Sequence, residues 1–256
     1  MQRMFPFVLA TWLLLPADAA WSVDGVLEIN QACVNTGCFS GDSAGFPVTI
    51  DGSAGRSYRL TGDLVVPNVN ASGITISTHD VRIDLNSFTI IGAACVGATS
   101  SSCRPTSGNG SGVSGGQGIS VSNGSIVGMG FAGVLLSTEA EVTGLRARWN
   151  HLAGIQVQEG SKVSGNIARE NGALGITAGP GSTVSGNLSY GNGAGIFANA
   201  GSLVEGNNIR NNTGVGLDLA SDAAYRENVI NNNTGGNVTG GVNMGANSCN
   251  GTATCP

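Results

Sequence analysis

Hydrophobic and polar positions alternate with a period of two over short stretches, and this alternation recurs at a nearly constant interval. Five stretches begin at a glycine: Gly133-Val-Leu-Leu, Gly154-Ile-Gln-Val, Gly175-Ile-Thr-Ala, Gly195-Ile-Phe-Ala and Gly216-Leu-Asp-Leu. The steps between these glycines are 21, 21, 20 and 21 residues. Period-two alternation predicts a strand with one buried face. A repeat of this length without a helical stretch predicts a solenoid in which each repeat is one coil.

Asparagine occupies two fixed positions of this repeat. The first position lies twelve residues after the glycine and is occupied by Asn166, Asn187, Asn207 and Asn228, whereas the first unit has Leu145 there. The second position lies seventeen residues after the glycine and is occupied by Asn150, Asn171, Asn192 and Asn212. Equivalent residues of stacked coils lie about 4.8 Å apart. Each asparagine amide can therefore bond the turn backbone or the asparagine of the next coil. We expect two asparagine ladders at bends, where asparagine tolerates left-handed backbone geometry.

The amino-terminal residues are typical of an export signal. A positive charge at Arg3 precedes an apolar run over residues 5–15, and small residues at Ala17 and Ala19 suit signal peptidase. We predict a signal peptide over residues 1–19 and a secreted or periplasmic product. An apolar run of about 11 residues is too short to span a bilayer, so no membrane insertion is expected after the signal is removed.

Residues 20–256 are predicted to form one domain. Residues 20–58 are irregular and would cap the first coil, because an open coil end exposes unpaired strand edges. Residues 93–117 interrupt the alternation with serine and glycine and are predicted to leave the coil as a loop. Residues 231–256 would cap the far end. This division leaves about seven or eight coils.

The six cysteines form three pairs that are close in sequence. Six cysteines allow 15 connectivities, but each pair lies in a segment rich in Gly, Ser or Asn and far from the next pair. We therefore predict the local disulfides Cys33–Cys38, Cys95–Cys103 and Cys249–Cys255. Zinc is the alternative, but no CxxC spacing occurs and both histidines are remote from the cysteines. We expect no metal site and no cofactor.

The repeat unit Val163-Ser-Gly-Asn-Ile-Ala-Arg-Glu-Asn171, followed by Gly175-Ile, resembles that of the right-handed parallel β-helix superfamily. Residues 81–92 resemble a first coil of that superfamily, and residues 240–256 are similar to the tail of uncharacterised exported bacterial β-helix proteins. The resemblance implies an all-β, single-domain right-handed parallel β-helix with disulfide-stapled loops. The superfamily includes pectate lyases, polygalacturonases and NosD-type copper-processing proteins, so the resemblance concerns architecture more than activity.

The acidic residues do not predict a catalytic site. Hydrolysis of a glycosidic bond needs paired carboxylates, whereas the acids Glu159, Glu170, Asp218, Asp222 and Glu227 occupy scattered positions of the repeat. The Asn-x-Asp and paired-Asp motif of the superfamily's hydrolases is absent. A lyase would need carboxylates to hold calcium beside a basic residue, and no aspartate cluster accompanies the arginines.

Position fifteen of the repeat carries the candidate binding residues Arg148, Arg169, Tyr190 and Arg210. Trp149 and Phe197 add candidate aromatic surface. Guanidinium groups at coil spacing can bind carboxylates along an acidic polysaccharide, and aromatic faces can stack on sugar rings. The alternative is that the arginine side chains pack along Tyr190 and that carboxylates such as Glu170 neutralise them.

The formal net charge of −5, without basic runs, argues against nucleic acid as a partner. Only one lysine occurs, and charged residues make up 11% of the chain. We therefore interpret the chain as an exported surface module that binds a carbohydrate polymer or acts as a rigid spacer, with no identifiable catalytic residues. Two alternatives stay open: a lyase or hydrolase acting on an acidic polysaccharide, and an adhesin or envelope interaction protein.

Overall fold

The computed structural model describes residues 25–53, 55–98, 103–253 and 255, so the predicted signal peptide lies outside the described residues. The described residues include one short helix, α1 (Gln31–Val34), and a 3₁₀ turn at Ala93–Cys95. The other elements whose bounds lie within the described residues are strands. They are β1 (Leu27–Ile29), β2 (Val48–Ile50), β3 (Ser57–Leu60), β4 (Leu64–Val66), β5 (Ile74–Ile76), β6 (Arg82–Asp84), β7 (Thr89–Gly92), β8 (Val113–Gly115), β9 (Ser120–Val127), β10 (Val134–Leu136), β11 (Glu141–Arg148), β12 (Ile155–Val157), β13 (Lys162–Ser164), β14 (Ile167–Arg169), β15 (Leu174–Ala178), β16 (Thr183–Ser185), β17 (Leu188–Tyr190), β18 (Ala194–Ala198), β19 (Leu203–Glu205), β20 (Asn208–Arg210), β21 (Leu217–Leu219), β22 (Ala224–Arg226), β23 (Val229–Asn231), β24 (Val238–Thr239), β25 (Val242–Asn243) and β26 (Ser248–Cys249).

The strands stack in three parallel ladders, and each coil from β3 to β24 contributes one strand to each ladder. Ladder A contains β1, β3, β6, the first halves of β9 and β11, β13, β16, β19, β22 and β25. Ladder B contains β4, β7, the second halves of β9 and β11, β14, β17, β20, β23 and β26. Ladder C contains β2, β5, β8, β10, β12, β15, β18, β21 and β24. The chain runs from ladder A to B to C and then rises to the next coil.

The fold is therefore an all-β parallel solenoid, as the repeat predicts, but it has about nine turns. The nine strands of ladder C mark them. The predicted seven or eight coils were too few, because β1 and β2 form within residues 20–58 and β24 to β26 form within residues 231–256. These strands lie outside the regular repeat of 20 to 21 residues, so no recurring pattern marks them in the sequence.

Branched aliphatic side chains at equivalent positions fill the interior of the solenoid. Ile155, Ile176 and Ile196 pair on neighbouring strands of ladder C, and all three are fully buried. Val163 and Val184 pair on neighbouring strands of ladder A and are also fully buried. Such residues suit the pleated, half-buried surface of a strand. The predicted period-two alternation is confirmed, and each coil is stabilised mainly by stacking on its neighbours.

Two columns of buried asparagines hold the bends on either side of ladder B. The column at the corner between ladders A and B comprises Asn166, Asn187, Asn207, Asn228 and Asn247, and the column at the corner between ladders B and C comprises Asn150, Asn171, Asn192, Asn212 and Asn233. The backbone N–H of Asn187 donates to Oδ1 of Asn207 at 2.9 Å. Its Nδ2 donates to the same oxygen at 3.0 Å and to the carbonyl of Val163 at 2.9 Å. The predicted asparagine ladders are confirmed.

All six cysteines are bonded, in the pairs Cys33–Cys38, Cys95–Cys103 and Cys249–Cys255. The second pair lies between β7 and β8, within residues 93–98 and 103–112 at the corner between ladders B and C. We call this segment the stapled loop. No helix in the described ranges is long and apolar enough to cross a membrane.

Tyr58 gives the solenoid an expected pH dependence. Its side chain is almost fully buried, and its hydroxyl donates to the carbonyl of Gly55 at 2.9 Å. Burial raises the pKa of Tyr58 above its ordinary value, and the charge of Asp51 adds to this effect, although Arg56 opposes it. The folded chain therefore holds this proton more tightly than the unfolded chain. The resulting stability is complete below about pH 10 and is lost as the pH rises through the raised pKa.

We expect the free energy of unfolding to fall more steeply above about pH 10 in the wild type than in Tyr58→Phe. Urea unfolding of both proteins across this alkaline range measures the difference. Parallel profiles would show that the buried phenol does not determine alkaline stability.

Candidate functional site

The predicted binding residues line up on the outward face of ladder B. Arg148 pairs with Arg169, Arg169 with Tyr190, and Tyr190 with Arg210, each on the next coil. We call these four side chains the arginine strip. At the usual spacing of parallel strands, its three steps cover about 14 Å.

Aromatic rings separate the guanidinium groups along the strip. The guanidinium carbon of Arg148 lies 4.4 Å from the ring centre of Trp149, and that of Arg210 lies 5.1 Å from the ring centre of Tyr190. Arg169 lies between the two rings, at 5.8 Å and 6.0 Å. Nη1 of Arg169 also donates to the hydroxyl of Tyr190 at 2.9 Å. These contacts restrict the side-chain conformations of the arginines, and groups that are already ordered lose less entropy when they bind a ligand.

Positive charge exceeds negative charge along the strip. Nη1 of Arg169 lies 3.7 Å from Oε1 of Glu170, and this is the only ion pair formed by a strip arginine within the described ranges. Burial, followed by the charge of nearby Arg169, lowers the pKa of Arg148. Arginine nevertheless stays protonated in proteins. A bound anion would relieve the repulsion between these two guanidinium groups.

Trp149 is buried rather than exposed, which corrects its prediction as accessible aromatic surface. It is 3% exposed and packs with Val127 and the Cys95–Cys103 disulfide of the stapled loop. Its Nε1 donates to a carboxylate oxygen of Glu170. Trp149 therefore supports Arg148 and orients Glu170. The stapled loop covers it directly after the end of β11, where its positive φ of 56° ends the period-two alternation of the strand.

Phe197, the second candidate for aromatic surface, lies on a different ladder from the arginine strip. It lies on β18 of ladder C, where it pairs with Thr177 and Asp218. The repeat places it thirteen positions away from the position-fifteen residues, on a different side of the coil. Its half-buried ring therefore belongs to another face of the solenoid.

Three residues that the sequence analysis did not select complete the surface beside the strip. Arg146, Ile167 and Leu188 pair across neighbouring coils, two positions before the strip residues. With Arg148, Arg169 and Tyr190 they line a depression of about 320 Å³. The same period-two alternation that predicts the strip could have identified them, because residues two apart on a strand share a face.

A second depression of about 390 Å³ lies at the corner between ladders A and B. We call it the polar groove. Its lining residues are Asp84, Asn86, Ser87, Asn123, Gly124, Ser125, Gly144, Leu145, Arg146, Gly165 and Ile167. Arg146 and Ile167 also line the first depression, so the two form one continuous surface.

The acidic residues considered as catalytic candidates lie at different places around the coil. Glu170 follows β14 at the corner between ladders B and C, Asp218 lies on ladder C, and Glu227 follows β22 at the corner between ladders A and B. Within the described residues, no three His, Cys, Asp or Glu side chains form a group that could hold a metal ion.

Residues 132–254 match the family model described as "Right handed beta helix region". This part of the chain is a right-handed β-helix. The match supplies the handedness of the parallel coils, and it includes the whole arginine strip. A comparison with curated protein sequences finds no significant match.

Three solved structures are similar to the β-helix at low sequence identity. Pectate lyase Pel9A is 14% identical, with a TM-score of 0.48, over 69% of this chain and 55% of the lyase. The periplasmic alginate epimerase AlgG is 12% identical, with a TM-score of 0.45, over 78% of this chain and 73% of the epimerase. XylC in complex with xylose is 14% identical, with a TM-score of 0.48, over 77% of this chain and 38% of XylC. The chain thus spans little more than half of the lyase.

Proposed function

We propose that this β-helix is an exported module that binds an acidic polysaccharide along the arginine strip. The observation that carries the proposal is the register of three guanidinium groups and one phenol on successive coils, with Glu170 as the one carboxylate paired to them among the described residues. The three disulfides favour an oxidising compartment, where a protein meets such polymers.

The chemistry of the strip matches that of a polymer of sugar acids. Guanidinium groups bind carboxylates through paired, charge-assisted hydrogen bonds. A polymer presents carboxylates repeatedly, and the solenoid presents arginines repeatedly, so several weak contacts act together. The aliphatic surface of Ile167 and Leu188 and the ring of Tyr190 can pack against the apolar faces of sugar rings.

Binding should depend on salt because the strip is only partly shielded from water. The side chain of Arg169 is 29% exposed. Interactions between exposed charges are largely screened beyond about 10 Å at 0.1 M ionic strength. Affinity for an anionic polymer should therefore fall as salt is added.

The triple variant Arg148→Gln/Arg169→Gln/Arg210→Gln tests the proposal. We expect it to bind polygalacturonate or alginate about 10-fold to 100-fold more weakly than the wild type, since three partly exposed charge contacts contribute roughly 1–3 kcal/mol together. The salt dependence of binding should also become flatter. Titration calorimetry at several salt concentrations measures both effects. Assays for reducing ends and unsaturated products on the same samples test for turnover.

A matched control removes three positive charges from ladder A. Arg59, Lys162 and Arg226 each form an ion pair, with Glu28, Glu141 and Glu205 respectively. The variant Arg59→Gln/Lys162→Gln/Arg226→Gln should keep wild-type affinity. Equal weakening by both triple variants would indicate a general effect of net charge. Unchanged binding by the strip variant, or no salt-sensitive binding by the wild type, would contradict the proposal.

A further inference from the structure

We propose that the polar groove is a subsite for a neutral sugar unit, so that the preferred ligand carries neutral and acidic sugars side by side. This inference rests on the proposed function of the arginine strip. It adds a second site of different chemistry beside the strip. The expected ligand is then a polysaccharide with both neutral and acidic sugars, rather than a polymer of sugar acids alone.

The groove exists because one coil has a longer turn than the next. Asp84 pairs with Ser122, and Thr89 pairs with Ser125. The connection 85–88 is therefore two residues longer than the connection 123–124. Asn86 and Ser87 both have positive φ, at 48° and 67°, and both are exposed. They form a wall at one end of the groove.

Glycines keep the floor of the groove open. At Gly165, an added Cβ atom would meet nothing within 4 Å. At Gly144, the nearest atom would be Oδ1 of Asn123 at 3.2 Å. Gly144 has a φ of 65° and Gly165 has a φ of 66°. On their coils they occupy the position that Asn123 occupies one and two coils earlier. A ligand can therefore approach the backbone of two successive coils.

The wall offers hydrogen-bonding groups that suit hydroxyls. Oδ1 of Asp84 accepts from the backbone N–H of Asn86 at 2.8 Å and from Nδ2 of Asn123 at 3.3 Å. These two bonds fix the carboxylate, while Oδ2 accepts no hydrogen bond within the described part of the chain. Ser87 and Ser125 add hydroxyl groups. A carboxylate accepts strongly from a sugar hydroxyl, but it repels the carboxylate of a sugar acid.

The position of the groove determines the order of units in the ligand. Its volume of about 390 Å³ lies in the range of small-molecule sites, about 300–1,000 Å³. Arg146 and Ile167 line both the groove and the strip depression. A chain that crosses from one to the other places a neutral unit near Asp84 and an acidic unit near the arginines.

Two probes with equal numbers of carboxylates separate these ligand classes. A hyaluronan octasaccharide alternates neutral and acidic sugars, whereas a galacturonate tetrasaccharide contains acidic sugars only. We expect the wild type to bind the octasaccharide about tenfold more tightly, since one charge-assisted hydrogen bond accounts for that difference. Gly165→Asn should fill the groove and remove this preference while leaving affinity for the tetrasaccharide within about twofold.

The same column of glycines supplies the control. Gly206 has a φ of 63°, and a Cβ atom added there would lie 3.9 Å from the nearest atom. Gly206 does not line the groove. Asparagine tolerates positive φ, so Gly206→Asn should fold and should keep the preference of the wild type. Asp84→Asn serves as a second test that does not fill the groove. It should lower affinity for the octasaccharide and raise it for the tetrasaccharide.

The outcomes distinguish failure of the subsite from failure of the strip. Equal wild-type affinity for both probes, or equal weakening of both by Gly165→Asn, would overturn the neutral subsite while leaving the strip intact. If thermal unfolding shows that Gly165→Asn does not fold, Asp84→Asn decides, and an unchanged preference in that variant overturns the subsite. Wild-type binding by the strip triple variant would overturn the proposed function itself.

Discussion

Replacing Asn187 by alanine is expected to lower the free energy of unfolding by about 3–6 kcal/mol. Oδ1 of Asn187 accepts from the backbone N–H and from Nδ2 of Asn166, at 2.9 Å and 3.0 Å. Its Nδ2 donates to the carbonyl of Val163. The substitution leaves the buried backbone N–H of Asn166 without a partner, which costs about 1–3 kcal/mol. It also removes three further buried hydrogen bonds, each with a net contribution of about 0.5–1.5 kcal/mol. Urea unfolding followed by circular dichroism measures the loss.

Asn208 provides the matched control for the asparagine ladder. It lies on β20 and is exposed, and no hydrogen bond of its side chain occurs within the described ranges. Asn208→Ala should change the free energy of unfolding by less than about 0.5 kcal/mol. Similar losses in the two variants would mean that the buried ladder does not stabilise the coils in the way proposed.

Gly175→Ala is expected to cost about 3 kcal/mol, even though the backbone of Gly175 is not left-handed. An added Cβ atom would lie 2.6 Å from the carbonyl oxygen of Gly195 and 2.8 Å from Nδ2 of Asn192. Real Cβ atoms do not approach other atoms this closely. Neither neighbour can move freely, because one belongs to the next coil's backbone and the other to an asparagine ladder. Thermal and urea unfolding of the variant test this value.

Gly116→Ala is the corresponding control. An added Cβ atom at Gly116 would lie 3.5 Å from the carbonyl oxygen of Thr78, an ordinary contact distance, and Gly116 also lacks a positive φ. This variant should be neutral or more stable by up to about 1 kcal/mol, since alanine restricts the unfolded chain. If Gly175→Ala behaved in the same way, the glycine of each repeat would not be needed for close coil packing.

The regular coils could be predicted from sequence because their physics is local and repeats. Buried isoleucines, asparagines at bends and glycines at close contacts recur at one interval, so each unit supports the interpretation of the others. The register of Arg148, Arg169, Tyr190 and Arg210 follows from that interval. The wrong coil count came from the two ends, where strands of two or three residues occur without a regular repeat.

Trp149 and the polar groove could not be predicted because they depend on departures from the repeat. Trp149 is covered by the stapled loop, which returns from a position about 50 residues earlier in the sequence and contacts the coil through tertiary packing. Nη1 of Arg104 in that loop reaches the carbonyl of Glu170 at 3.2 Å. The groove depends on the two additional residues between β6 and β7. Their effect becomes visible only when neighbouring coils are aligned strand by strand.

The coils change length at both corners that border ladder B. The corner between ladders A and B gains two residues at 86–87. The corner between ladders B and C gains the stapled loop in one coil and loses one residue after Asn192 in another. The loss is visible because Asn171 and Asn192 occupy equivalent positions, whereas Leu174, three residues after Asn171, pairs with Ala194, two residues after Asn192. The connection from ladder C to ladder A keeps one length from β8 to β22. Insertions and deletions can therefore reshape both rims of the face that carries the arginine strip while the stacked interior stays unchanged, so this face can vary at little cost in stability.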